Sequence, residues 1–133
     1  MKTINYRKYL SIMLWLVALH SLCVGLGLII IPGSFMESLG YGSCSERFFR
    51  TQGGVFHIAM AVGYAMAAYN SRRFECLVLF SIVVKFIATL FLFLYFVFVS
   101  QILILLGSMV SDFLMGLVIW MLYKFAKTDS GKE

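Results

Sequence analysis

From Leu77 to Val99 the chain is an unbroken apolar run, rich in Phe, Leu and Val, in which Lys85 is the only formal charge. At about 1.5 Å of rise per residue, a helix of this length crosses the roughly 30 Å hydrocarbon layer of a bilayer. A lysine or aspartate at the centre of such a helix costs about 2.5–3.5 kcal/mol on insertion scales, so Lys85 requires a partner away from lipid. The next apolar run supplies a candidate, because Ser111-Asp112-Phe113 sets a lone carboxylate inside it. The two earlier apolar runs each carry one histidine, His20 and His57. Every expected span therefore holds one ionisable residue near its middle.

Composition agrees with a membrane chain: 62% of the residues are hydrophobic and 13% charged, where soluble domains carry about a quarter charged residues. With 133 residues, four spans and short connections use nearly the whole length, leaving no room for a soluble catalytic module. The expected architecture is all-α: a single membrane domain over 1–133, an up-and-down four-helix transmembrane bundle with spans at about 9–31, 47–69, 74–99 and 103–123. The net charge of +5 does not point to nucleic acid, because the basic residues flank apolar runs as headgroup-facing residues do. Cys23, Cys44 and Cys76 are scattered, with no C-x-x-C, which argues against a disulfide relay or a zinc site. The first apolar run follows Lys2, Arg7 and Lys8 but continues to Ile31 with no A-x-A site after it. That is too long for a signal-peptide core, so it reads as a retained span.

Taken in order, span one carries Gly25 and Gly27 in its second half and stops at Pro32-Gly33. The loop from Ser34 to Ser45 mixes Phe35, Met36, Leu39 and Tyr41 with Gly and Ser; it belongs in the membrane interface and has room for one helical turn. Ser43 and Glu46 stand in capping-box spacing ahead of span two, and Glu46 and Arg50 lie four apart, on one helical face. Gly53, His57, Ala61 and Ala65 then form a small-residue stripe, which places His57 against another helix. After the polar turn Asn70-Ser71-Arg72-Arg73, span three shows Ser81, Lys85 and Thr89 as one polar stripe. The following turn falls either at Ser100-Gln101 or at Gly107-Ser108, and span four carries Ser108, Asp112 and Gly116 on one face. The two flanks and the Arg72-Arg73 turn hold eight Lys and Arg residues, whereas the opposite loops hold only Arg47 and Arg50. Both termini should therefore face the cytoplasm, in what reads as a bacterial inner membrane.

The polar layer admits competing readings. Lys85 and Asp112 form either a buried ion pair that fixes the register of the last two helices or a proton or ligand site. His20 and His57 lie equally deep in two antiparallel spans, a layout compatible with bis-histidine haem b ligation; the plainer reading has them neutral and hydrogen-bonded to a carbonyl, a serine or the ion pair. Arg50, Thr51 and Gln52 stand at the outer mouth. There Arg50 either pairs with Glu46 or guides an anionic head inward. No nucleophile, base and orienting acid lie together as hydrolase chemistry requires. The leading expectation is a small non-enzymatic membrane protein, an accessory subunit or homo-oligomer in the lipid bilayer, whose interior site takes a quinone or lipid. Ser81, Thr89, Ser108 and both histidines would supply secondary contacts. A proton-coupled or small-solute transporter working as an oligomer, and a haem electron-transfer subunit, are the alternatives.

Arg50-Thr51-Gln52-Gly53-Gly54, the arginine-rich turn, the mid-span Lys85 and the run Ser111-Asp112-Phe113-Leu114 together resemble the small four-helix membrane proteins of the DoxX-like group. The resemblance covers most of the chain through its hydropathy layout. It implies a recurring lysine in span three and aspartate in span four, here Lys85 and Asp112, and a link to quinone-coupled redox complexes. The cysteine pairs of a thiol-redox relative are missing.

Overall fold

A computed structural model describes residues 5–43 and 46–130. Five helices account for most of them: α1 (Tyr6–Ile30), α2 (Gly33–Ser38), α3 (Phe48–Tyr69), α4 (Glu75–Phe98) and α5 (Leu103–Ser130), with no strand among the described residues. The four long helices coincide with the four expected spans, and α2 is the helical turn in the long loop. Asn5 caps α1 by accepting the Lys8 N–H at 3.1 Å. Ile31 turns extended, the conformation favoured ahead of Pro32, and α1 ends there.

Three boundaries depart from expectation or settle it. The capping box does not form: α3 starts at Phe48 after Arg47, with no side-chain cap from that position. Glu46 lies outside the helix, where its Oε1 accepts the Phe48 N–H at 2.8 Å. A carboxylate just outside the first turn can satisfy an orphan N–H and complement the helix dipole without being part of the helix. Glu46 and Arg50 consequently do not share a helical face. The turn between α4 and α5 is at Ser100-Gln101, with Gly107 inside α5. The chain also stays helical beyond 123, because Ala126 is buried and the Phe125 ring lies 5.2 Å from that of Tyr6.

The helices pack chiefly as two pairs, α1 with α3 and α4 with α5, joined by α1–α5 and α3–α4 contacts. Within each pair the helices are antiparallel. Ser11 Oγ donates to the Ala68 carbonyl at 2.5 Å at the end where α1 begins, while Gly25 meets Gly54 near the end where α1 stops. Glu75, at the start of α4, accepts a hydrogen bond from the Tyr123 hydroxyl near the end of α5. The core gathers Leu10, Leu14 and Val17 of α1, Tyr64 and Ala67 of α3, Val78 and Ile82 of α4, and Ile119 of α5. These residues recur at three-, four- and seven-residue steps, the spacing of one helical stripe.

The outward faces are apolar as well: Leu16, Leu19, Phe91, Leu94 and Trp120 are exposed. Helices α1, α4 and α5 are each long and apolar enough to cross a membrane, the character of a membrane protein. Helix α3 is not among them, because Arg50, Gln52, His57 and its glycines lower its hydropathy.

Candidate functional site: a buried ion pair beside an apolar groove

Lys85 lies on the buried face of α4 with Val78, Ser81 and Ile82. Opposite it, α5 presents Gly116, where a Cβ would come within 3.1 Å of the Lys85 Cβ. The missing side chain lets the two helices approach at this point, and the lysine stem runs along α5 toward Asp112, one turn away. Lys85 Nζ donates to Asp112 Oδ1 at 2.6 Å, the side chains being 6% and 15% exposed. The short distance is that of a charge-assisted hydrogen bond. The ammonium also lies 5.6 Å from the centre of the Tyr64 ring, within cation–π range.

Ser21, buried on α1, donates to the His57 carbonyl at 2.9 Å, and its Oγ is 3.4 Å from His57 Nδ1. The charges of Lys85 and Asp112 act on both His20 and His57, and His57 also feels His20. His20 is exposed and His57 half-buried. The other expected members behave differently. Ser81 and Thr89 turn their hydroxyls onto their own helix, to the carbonyls of Leu77 at 2.6 Å and Lys85 at 2.8 Å. Ser108 and Gln52 are exposed.

Beside the ion pair, α4 and α5 enclose an open groove of about 390 Å³ lined by Phe86, Thr89, Leu90, Phe93, Met109, Val110 and Phe113. Phe86 and Phe113 are the chain neighbours of Lys85 and Asp112, which do not themselves line the groove. Because the Thr89 hydroxyl is already bonded, the groove wall is in effect all apolar. The lysine has three N–H donors and the aspartate two acceptor oxygens. One bond between them leaves donor and acceptor capacity for a polar head.

At the other end of α3, Arg50 Nε and Nη2 are buried without a hydrogen-bond partner, so that edge of the guanidinium makes no bond with Glu46. The loop after α2 folds back on the same end, with Gly40 at φ +94° facing Ile102. Burial, helped by nearby Tyr95, pushes the Tyr41 phenol above its ordinary pKa. Among the described residues, no three His, Cys, Asp or Glu side chains gather as a metal site would require.

Sequence reasoning missed Tyr64, Ser21 and the fit of Gly116 against Lys85. Tyr64 was available to it, since it stands seven residues after His57, on the same helical face. Comparison with protein-family models, with curated proteins and with solved structures finds no match for this chain.

Proposed function

We propose that this protein is a small non-enzymatic integral membrane protein. Its four long helices span the bilayer as an up-and-down bundle, with both termini in the cytoplasm of a bacterial inner membrane. Its interior site binds a lipophilic molecule with a polar head, a quinone or a lipid. The observation that carries this reading is that the same two helices, α4 and α5, hold both the buried Lys85–Asp112 pair and an apolar groove. A polar head hydrogen-bonded by Lys85 would leave its tail among Phe86, Leu90, Phe93 and Phe113. The Tyr64 ring lies 5.6 Å from the Lys85 ammonium. The resemblance to the DoxX-like group points to the same chemistry, and an accessory role in a redox complex follows from it.

Native mass spectrometry of the protein released from mild detergent tests the proposal. Wild type should retain a quinone or lipid adduct. The Lys85→Met, Asp112→Leu double variant, which replaces the pair by apolar side chains of similar volume, should lose it. Equal adducts in both proteins would remove the ligand site and leave the pair as a structural feature.

A further inference from the structure

Among the described residues, the buried side-chain nitrogens and oxygens without a hydrogen-bond partner are both on the Arg50 guanidinium. Its Nε and Nη2 are enclosed and bonded to nothing. These two atoms lie on one edge of the guanidinium, and their N–H bonds run parallel, the geometry that grips two oxygens of a carboxylate or phosphate at once. Arg50 as a whole is half-buried, but donors enclosed in this way are costly to leave without an acceptor. The Oε1 of Glu46 is engaged by the Phe48 N–H, and no carbonyl among the described residues reaches either nitrogen.

We propose that this Arg50 edge is a second binding site, separate from Lys85 and Asp112, and that it holds two oxygens of one oxyanion, a phosphate or a carboxylate. Arg50 is one turn before Gly54, on the face α3 turns toward α1, and so stands level with the end of α1. Around that end Phe35, Phe48 and Phe49 are exposed and suit the acyl region of a lipid. The first turn of α3, whose dipole favours an anion, lies beside the guanidinium. An anionic amphiphile with its head on Arg50 satisfies all of these groups, and a free phosphate satisfies the guanidinium alone.

The test uses the full chain in a non-ionic detergent and three probes: inorganic phosphate, phosphatidylglycerol and oleate. Binding is read by native mass spectrometry and by the rise of the unfolding midpoint. Wild type should respond to at least one probe. Arg50→Lys keeps the charge but loses the paired N–H edge and should need about tenfold more probe, while Arg50→Met should not respond. Arg47→Met, which removes an exposed neighbouring cation, should respond as wild type does, and repeating the series in the Lys85→Met, Asp112→Leu background keeps any lipid held at the Lys85 site out of the comparison. A response to phosphatidylglycerol or oleate assigns the anion to an amphiphile, and one to phosphate alone assigns it to a soluble ion. Silence with all three probes, or equal losses in Arg47→Met and Arg50→Lys, overturns the site. If Arg50→Met does not fold, the comparison of Arg50→Lys with Arg47→Met decides.

Discussion

Removing one half of the Lys85–Asp112 pair leaves the other charge enclosed without its partner, which in protein interiors costs about 3–5 kcal/mol, whereas replacing both halves by apolar groups is often neutral or stabilising. Lys85→Met and Asp112→Leu should therefore each lower the unfolding midpoint in detergent markedly. The Lys85→Met, Asp112→Leu protein should regain most of the loss, a non-additivity that a double-mutant cycle measures. A cycle with no coupling would show that water, not the partner, solvates each group. This pair was legible in the sequence, because one amine and one acid in adjacent apolar runs have few other places to go. The hydroxyls of Ser81 and Thr89 were not. Helical spacing puts them on the stripe, but a serine or threonine in a helix always has the carbonyl four residues back within reach, and both use it. Spacing fixes where a side chain starts, while the local backbone decides where its hydroxyl ends. The reach of Lys85 to Asp112 likewise depends on Gly116, whose role appears only once α4 lies against α5.

The contact of α1 with α3 is set by two glycines facing each other. A Cβ built on Gly25 would stand 2.7 Å from the Gly54 carbonyl oxygen, and one built on Gly54 would stand 2.6 Å from that of Gly25. The obstacle is backbone on both sides, so no rotamer change relieves it and the helices themselves must part. Gly25→Val and Gly54→Val should each cost at least the roughly 1–3 kcal/mol typical of overpacking, read as a lowered unfolding midpoint in detergent. Gly107 is the contrast: nothing lies within 4 Å of a Cβ there, and the residue sits inside α5. Gly107→Ala should stabilise by up to about 1 kcal/mol through helix propensity alone. If Gly107→Ala destabilised as much as Gly54→Val, α5 would have a packed partner at that position. The helices were legible from hydropathy because lipid imposes long apolar runs. Their ends were less so, since Ser43 and Glu46 match a capping pattern in sequence while the glutamate caps from outside the helix. Likewise Gly107-Ser108 resembles a turn, but the chain has already reversed at Ser100.

Whether α3 crosses the membrane with the other three helices is a property of the whole assembly, because its own hydropathy does not place it among the spanning candidates. Its partner decides the matter. α3 lies along α1 from the Ser11–Ala68 hydrogen bond to the Gly25–Gly54 contact, and α1 is apolar enough to span. A helix flush with a spanning neighbour over that length sits at the same depths. The low hydropathy of α3 comes from Arg50, Gln52, His57 and its glycines, while much of its outward face is apolar. Val55, Phe56, Val62 and Met66 face outward, where they would meet acyl chains as α1 does with Leu16 and Leu19. The charge distribution adds a direction to the proposed topology, since Arg72 and Arg73 follow α3 directly while Gly42 lies in the loop before it, so positive-inside bias would put Asn70 in the cytoplasm and Gly42 outside. In a background with Cys23, Cys44 and Cys76 replaced, Gly42→Cys should react with a membrane-impermeant maleimide added to intact cells. Asn70→Cys should react only after the membrane is opened. Labelling of both positions from the same side would mean that α3 does not cross, that Arg50 and Asn70 share one face of the membrane, and that His57 cannot lie at the depth of Lys85 and Asp112.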